Sequence, residues 1–508
     1  MTRVGLVKMV SFLQLALASN ASGARPGQSY VSSNVTPPYL QVNSTGRDLA
    51  PGLLFYTPTA GVDENASILR LGPLISSDTG DLVWAGPISD DASNLRVQTL
   101  NGQPVVSFWE GTGAAASGLL AGHGYGPVQI YNTSYDLIAT ICPKLNITHP
   151  PGQESDCDAD VHESYITDDN TILVTAYNIT KADLTSIGGP QEGYVYDSLI
   201  VEIDIASGEI VFLWSPLEHV PVGDSKYPLG KAGHTVATAY DFFHANSIFP
   251  WEDGYLINSR HTWTTYYVDK CGDIIWRIDG AEGGDFGSIP AGGLFAWQHN
   301  AEIVRVSPTE ATIPWFANNN DIAGQTNVTT GVQLALTLPP DPSNPPRLLS
   351  NVSDPAQPIF SSAEGSHQIF DNRDHLLGYG FQPYIHYFDA RGEAIWSARY
   401  AFENGASSYR VFKQEWHAVP STSPDLVVQK GDNGQLVGYV SWNGATHVEG
   451  YNVYAGSDVS VLKLVGVAVK KGFETEFRFK DDGSSLFQIG AVVPRTREER
   501  KSAVVAVS

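Results

Sequence analysis

A short pattern, Gly-acid-apolar-apolar-Trp, recurs along the chain and restricts it to a fold assembled from repeated sheets. It reads Gly80-Asp81-Leu82-Val83-Trp84, Gly272-Asp273-Ile274-Ile275-Trp276 and Gly392-Glu393-Ala394-Ile395-Trp396, with a stretched copy from Gly208 to Trp214. Three copies follow a strand-like run ending in Asp: Val201-Glu202-Ile203-Asp204, Tyr266-Tyr267-Val268-Asp269 and Tyr387-Phe388-Asp389. The residues from Asp to Gly read as a hairpin turn, with glycine supplying the positive φ. Upstream lies a further turn and strand, as at Asp253-Gly254 before Tyr255-Leu256-Ile257-Asn258. The repeated unit is therefore a multi-strand antiparallel sheet with an indole near its outer end, and such repeats mean blades. No helical period is sustained for more than a few turns. At propeller repeats of roughly 40–50 residues the length predicts about six blades, an all-β, six-bladed β-propeller with long insertions such as 327–358.

With 508 residues and a formal charge of −24 from only 30 basic side chains, the chain lacks the Lys/Arg clusters that bind nucleic acid. The same charge opposes anionic membrane surfaces. Residues 1–24 read as a secretory signal: Arg3 and Lys8, a short apolar stretch, then small residues at Ala16-Leu17-Ala18. Nothing later approaches the ~20 apolar residues of a membrane helix. Asn34, Asn43, Asn65, Asn132, Asn146, Asn178, Asn327 and Asn351 each begin Asn-x-Ser/Thr, so a secreted protein carrying N-linked glycans is expected. Cys142 and Cys157 are close enough to staple one loop, which leaves Cys271 odd. After Pro420 the character changes to a run of short strands with Trp442 and Tyr454. The expected organisation is a propeller over 25–420 and a C-terminal fibronectin-III/Ig-like β-sandwich over 421–508.

Four segments place polar, anion-handling residues beside strand-like runs: Asp160-Val161-His162-Glu163, Asp241-Phe242-Phe243-His244-Ala245-Asn246, Ser259-Arg260-His261 and Trp297-Gln298-His299. Side chains from separate strands meet only if the fold carries those strands to one axis, as a propeller does. Taken singly, a histidine at a strand end is more often a hydrogen-bonder than a catalyst. If the Ser259 run is extended, His261 faces away from Arg260 and is structural. His123, His149, His219, His375, His386 and His447 read as structural too, and His367 reads equally well either way. Imidazoles suit zinc or copper. Arg260 beside the cluster would repel a cation, and no Cys-x-x-Cys or His-Glu-x-x-His spacing is present, so no metal and no cofactor are expected. Gly111-Thr112-Gly113 and Gly122-His123-Gly124 lack the Lys-Ser/Thr of a phosphate loop.

At these segments the chain resembles the fungal branch of the arylsulfotransferase family, which needs no nucleotide sulfate donor. The stretch 240–248, followed by Leu256-Ile257-Asn258-Ser259-Arg260-His261, is similar to the family's His-x-Asn-Ser and Ser-Arg-His elements. Phe295-Ala296-Trp297-Gln298-His299, Asp160-Val161-His162-Glu163 and Gly365-Ser366-His367-Gln368 match further elements, and Val440 to Thr446 is similar to a fungal hallmark. The resemblance implies a six-bladed propeller whose channel moves a sulfuryl group between phenols through a sulfated histidine. It makes His299 the nucleophile and His162 and His244 the acid/base and oxyanion partners. Arg260 and Asn246 would bind the sulfuryl oxygens, with Gln298, Trp297 and Ser366 lining the substrate site. The chemistry fits these types: neutral imidazole is a nucleophile at mild pH, and planar Arg suits charge spread over three oxygens. Two other functions stand beside it. One is a propeller recruited to fungal secondary metabolism as a cyclase of hetero-Diels–Alder type, acting on phenolic or quinone-methide intermediates with no covalent step. The other is a non-catalytic secreted binder.

Overall fold

The computed structural model describes residues 27–61, 70–113, 122–319, 328–494 and 499–508. The signal segment, Asn65 and Asn327 lie outside the described residues. The described chain is all β with short 3-10 turns, and its sheets are antiparallel. Between Gln41 and Gln414 run six sheets of four or five strands. Five begin, in chain order, with Ala92–Leu100, Ser164–Ile166, Ala245–Trp251, Val304–Ser307 and Ser366–Ile369, each adding three later strands in order; the first passes over a separate short pair, Thr112–Gly113 with Gly124–Tyr125. The sixth mixes the two ends of this region, because Val411–Gln414 pairs with Leu53–Tyr56. On the sheet led by Ser366, Gln41–Ser44 adds an outer strand against Ala394–Arg399.

The repeat explains the hairpins. Gly80, Gly208, Gly272 and Gly392 all take positive φ at the turn. The Asp that opens it turns its carboxylate onto the loop: Asp269 Oδ1 accepts from the amides of Cys271 and Asp273 at 2.9 and 3.0 Å. Asp389 does the same for Arg391 and Glu393. The repeat tryptophans are buried, and two of them tie neighbouring sheets together. Trp214 Nε1 donates to Gly272 O and Trp396 Nε1 to Asp78 O, each at 3.0 Å, so each indole clamps the next sheet's turn. Apolar side chains fill the spaces between facing sheets. Trp251, Leu256 and Trp276 pack with Ile313, Trp315, Val332 and Leu334, while Ile172, Val174 and Val201 pack with Val105, Trp109 and Val128.

Side-chain hydrogen bonds join the leading strands in series. Gln98 Nε2 donates to Ser164 O, and Ile248 N donates to Glu163 Oε2. Ala301 N donates to Ser247 Oγ, His367 N to Asn300 Oδ1, and Lys413 N to Gln368 Oε1. Gln414 then accepts from Val97 N at 2.7 Å and donates back to Val97 O. A buried ion cluster crosses this series: Arg410 Nη1 bonds both oxygens of Glu163 at 3.0 and 2.9 Å and Nη2 bonds Asn246 O at 2.8 Å, while Arg96 Nη1 lies 3.7 Å from Glu163 Oε1.

Beyond Asp425, two sheets enclose a cluster of their own: Leu426, Val428, Val440, Trp442, Tyr451, Phe487 and Ile489. Asn443 links them to the earlier sheets by accepting from Ala85 N and donating to Ala85 O, both at 2.9 Å. Gly444, at φ +92°, lies against Tyr135 so closely that a Cβ would fall 2.3 Å from its ring. Cys142 and Cys157 form a disulfide, and Cys271 is exposed and free.

Removing one partner of an enclosed ion pair strands the other charge, at a cost of about 3–5 kcal/mol. Glu163→Ala is therefore expected to lower the urea midpoint sharply. The double variant Glu163→Gln/Arg410→Met, which removes both charges, should lose less than Glu163→Ala; equilibrium denaturation of the two variants checks this.

Candidate functional site

The predicted histidines sit just ahead of leading strands, where the backbone is bent out of the sheet. His244, Trp297 and Asn300 take positive φ of 56°, 54° and 52°, and Glu364 takes 62° before the Ser366 strand. Such conformations in non-glycine residues cost about 1–3 kcal/mol each and persist where surrounding contacts fix them. They aim side chains inward at the heads of the strands. Arg260 reaches the same place from the turn that joins Gly254–Ser259 to Thr264–Asp269. Because 260–263 is a turn, strand alternation does not apply, and the expectation that His261 faces away is corrected. Its ring lies 4.6 Å from that of His244, and its Nε2 lies 2.9 Å from Arg260 Nη1.

His162, His244, Arg260, Trp297 and His299 are brought together. Ring centroids of His162 and His244 are 4.8 Å apart. Tyr409 lies 5.5 Å from His162 and 6.3 Å from His299. Arg260 rests over the Trp297 ring at 5.0 Å. His123, read from sequence as structural, joins the cluster at 5.0 Å from His244 and 5.6 Å from His162, stacked on Tyr177. It lies in a glycine-flanked stretch outside the repeat, so no periodicity marks it.

Two aspartates orient the imidazoles. Asp160 Oδ1 bonds His162 Nδ1 and also accepts from His162 N and Thr175 Oγ1, while Oδ2 accepts from Gly124 N. Asp241 Oδ2 takes His244 Nδ1 at 2.5 Å, and the Asp241 backbone carbonyl takes His261 Nδ1 at 2.6 Å. Each arrangement directs the Nε2 of His162 or His244 away from its carboxylate, the geometry of a histidine held for proton transfer. Burial opposes the charge on Asp160, yet His162 and then His123 hold its carboxyl below the usual range. Asp241 is likewise held low against burial by His261 and His123. His244, His261 and His299 are all driven well below the ordinary imidazole value, first by burial. For His299 the next cause is the Arg260 charge.

His299 has a defined tautomer. Asn318 Nδ2 donates to Ser361 O and Glu364 O, which leaves its Oδ1 to accept from His299 Nδ1 at 2.8 Å. The lone pair is therefore on Nε2, where it accepts from Glu364 N at 3.2 Å. Arg260 has no carboxylate within ion-pair distance among the described residues; Nη2 donates to Ser362 O at 3.1 Å from the exposed side of the group. Burial lowers it to about 10, which leaves it charged at neutral pH.

Asn246, Gln298 and Ser366 are placed elsewhere, each with no exposed surface. Asn246 donates to Gln298 O and accepts from Asn258 Nδ2. Gln298 Nε2 bonds Asn258 Oδ1 and Ser259 O. Ser366 Oγ bridges to the Val411 strand. The sulfuryl-binding part expected of Asn246 falls on an amide already committed to protein, and the same holds for the donors of Gln298 and Ser366. His367 bonds His375 at 3.0 Å within its own sheet. A cavity of about 540 Å³ lies at the opposite ends of the leading strands, among Val97, Gln368, Lys413 and Gln414, and holds none of the predicted site residues.

Buried imidazoles make the fold acid-sensitive. His367 is lowered to about 3, and His375 and His386 to about 4, all chiefly by burial. Each is neutral when folded and takes up a proton near pH 6.5 when unfolded. Stability is thus full above pH 6.5 and falls below it by about 1.4 kcal/mol per pH unit for each group. Among the described residues neither ring nitrogen of His386 has a hydrogen-bond partner, and Tyr379, Tyr384 and Phe388 lie around the ring. His386→Phe is expected to flatten the fall in melting temperature between pH 6.5 and 5, measured by thermal scans across that window.

A family model described as arylsulfotransferase (ASST) matches residues 96–401, more than half of the chain. No curated protein matches it. Among solved structures, a Bacteroides caccae protein of unknown function aligns at 11% identity over 71% of this chain and 98% of that one, with a TM-score of 0.39. Sucrose-6-phosphate hydrolase from Lactobacillus gasseri aligns at 10% identity over 85% and 88%, with a TM-score of 0.32. A Bombyx mori GH32 beta-fructofuranosidase aligns at 10% over 84% and 88%, with a TM-score of 0.28. Similarity at this level carries no argument about chemistry.

Proposed function

Because the chain belongs to the arylsulfotransferase family, we propose that it moves a sulfuryl group from an aryl sulfate to a phenol through a sulfated His299. The observation that carries this reading is Arg260: a charged guanidinium with no carboxylate at ion-pair distance among the described residues, stacked on Trp297 and set beside imidazoles that burial keeps neutral. Such a group is a ready partner for a sulfate.

In the first step His299 Nε2 attacks sulfur and the S–O bond to the leaving phenol breaks. His162, as the imidazolium backed by Asp160, gives its proton to the leaving oxygen, and the phenol departs. Nitrogen now carries the SO₃ group, with Nδ1–H still bonded to Asn318. In the second step neutral His162 takes the proton of the acceptor phenol, whose oxygen attacks sulfur and frees His299. Arg260 and His244 face the three oxygens as charge spreads over them. Trp297, with the Tyr227 ring 6.3 Å away, offers an aromatic face for the ring of either phenol.

The architecture within this reading is a closed six-bladed propeller over 25–420, followed by a fibronectin-III/Ig-like sandwich over 421–508. The unbroken series of bonds from Val97 through Gln414 supports the first, and the separate Trp442 cluster supports the second. Secretion as a glycoprotein is supported by the disulfide and by the exposure of Asn34, Asn43, Asn146 and Asn351.

One observation favours the alternative of a non-covalent cyclase acting on phenolic intermediates: the His299 lone pair is engaged by the Glu364 amide. Intact mass spectrometry of the deglycosylated chain, briefly mixed with excess 4-nitrophenyl sulfate, separates the two. Gain of one sulfuryl group with nitrophenol release, lost in His299→Ala, is expected. Arg260→Ala should slow turnover by about 10²–10³, the range for losing one donor to a developing oxyanion. Absence of both mass gain and nitrophenol with several aryl sulfates would overturn sulfuryl transfer.

A further inference from the structure

Among the described residues, both ring nitrogens of His123 and Oδ1 of Asp241 are buried without a hydrogen-bond partner. The two residues are 2% and 6% exposed. An unsatisfied buried group is costly, and several in one contact mark a place where a ligand belongs. His123 Nε2 lies 3.2 Å from Asp241 Oδ2. Tetrahedral ligands about 2.0–2.1 Å from one ion stand roughly 3.3 Å apart, so this spacing also suits two ligands of a shared metal. His244 Nδ1 meets the same carboxylate oxygen, and the donor atoms of all three residues lie within 4.8 Å of one another.

We propose that His123, Asp241 and His244 hold a divalent first-row metal ion of the zinc and iron(II) class. Two imidazoles and one carboxylate with positions left open are the donor set of catalytic zinc and non-haem iron sites. Binding shifts the His244 proton from Nδ1 to Nε2, which has no protein partner among the described residues, and frees Asp241 Oδ2 for the ion.

A second trio, His123, Asp160 and His162, has comparable spacing. Its carboxylate is already saturated by His162, Thr175 and the Gly124 amide, so it orients His162 and leaves the ion to Asp241. Arg260 does not exclude the cation, because its guanidinium bonds the far nitrogen of His261, whose near nitrogen faces Asp241. With His162 as the imidazolium of the transfer reading, Asp160, Asp241, Arg260 and His162 sum to zero, and a divalent ion brings the cluster to +2, a better host for an aryl sulfate.

Metal content tests this without reference to activity, so its failure leaves the sulfohistidine experiment untouched. The full chain, purified without chelator and dialysed, is expected to carry close to one equivalent of zinc or iron by elemental mass spectrometry. His123→Gln and Asp241→Asn should each fall below a tenth of that. After chelator treatment, cobalt(II) should restore one equivalent and develop visible d–d absorption. If the variants do not fold, X-ray absorption of the wild-type metal decides: two imidazoles and an oxygen shell support the site, and a sulfur ligand overturns it. Trace metal with no saturable cobalt binding, or full metal content in His123→Gln, also overturns it.

Discussion

The enclosed pair of Glu163 and Arg410 fixes the geometry on which the histidine cluster depends. Glu163 directly follows His162 and accepts from Ser164 N and Ile248 N as well as from the guanidinium. Arg410 follows Tyr409 and holds Asn246 O, two residues beyond His244. Asn246 in turn holds Gln298 O, one residue before His299. His162, His244 and His299 therefore each lie one or two residues from a member of this network. Where the backbone bends at the head of each strand, one side chain fills the buried network while a near neighbour in sequence is aimed into the site. An ion pair so enclosed contributes little net stability over an apolar substitute. What it supplies is position, transferred along the backbone to residues that must meet within a few ångströms.

The site's electrostatics follow from burying imidazoles beside two carboxylates that accept their N–H groups. Burial disfavours imidazolium, which leaves His244, His261 and His299 as neutral bases with assigned protons. The two aspartates differ in spare capacity. Asp160 is filled by protein donors, which suits a residue that only orients His162. Asp241 is surrounded by His123, His244 and His261, and its Oδ1 is unpaired among the described residues. That inequality, more than the number of histidines, distinguishes a proton-handling dyad from a place for a cation.

Much of this was legible in the sequence, and the failures share one cause. The Gly-acid-apolar-apolar-Trp pattern located the hairpins because a left-handed glycine and a capped Asp are local requirements. The convergence of His162, His244, Arg260, Trp297 and His299 was legible because each motif stands beside its own strand. Facing was not legible. Asn246 and Gln298 have the chemistry of anion ligands, and only their hydrogen bonds to Asn258 and to backbone show them turned inward. His261 was misread because Arg260 begins a turn, where alternation stops. His123 belongs to no repeat, and its place is fixed by stacking on Tyr177 from another sheet. Pairings of that range leave no period in a sequence.

Sulfuryl transfer turns on whether His299 can release the Glu364 amide. The 361–365 segment is held by Asn318 on two carbonyls, by Arg260 on Ser362, and by Gly365 N on Tyr409 O. A Cβ at Gly365 would come within 2.1 Å of the Phe316 ring, so the backbone there has no room to swing. Moving the whole segment would break several bonds at once, each worth about 0.5–1.5 kcal/mol. Exchanging a single acceptor is cheaper. An amide that leaves a neutral nitrogen for an anionic sulfuryl oxygen gains a charge-assisted bond, roughly twice as strong as the one it gave up. In the transfer reading the aryl sulfate thus frees its own nucleophile, and the amide that blocked attack becomes a donor to the oxygens on which charge develops.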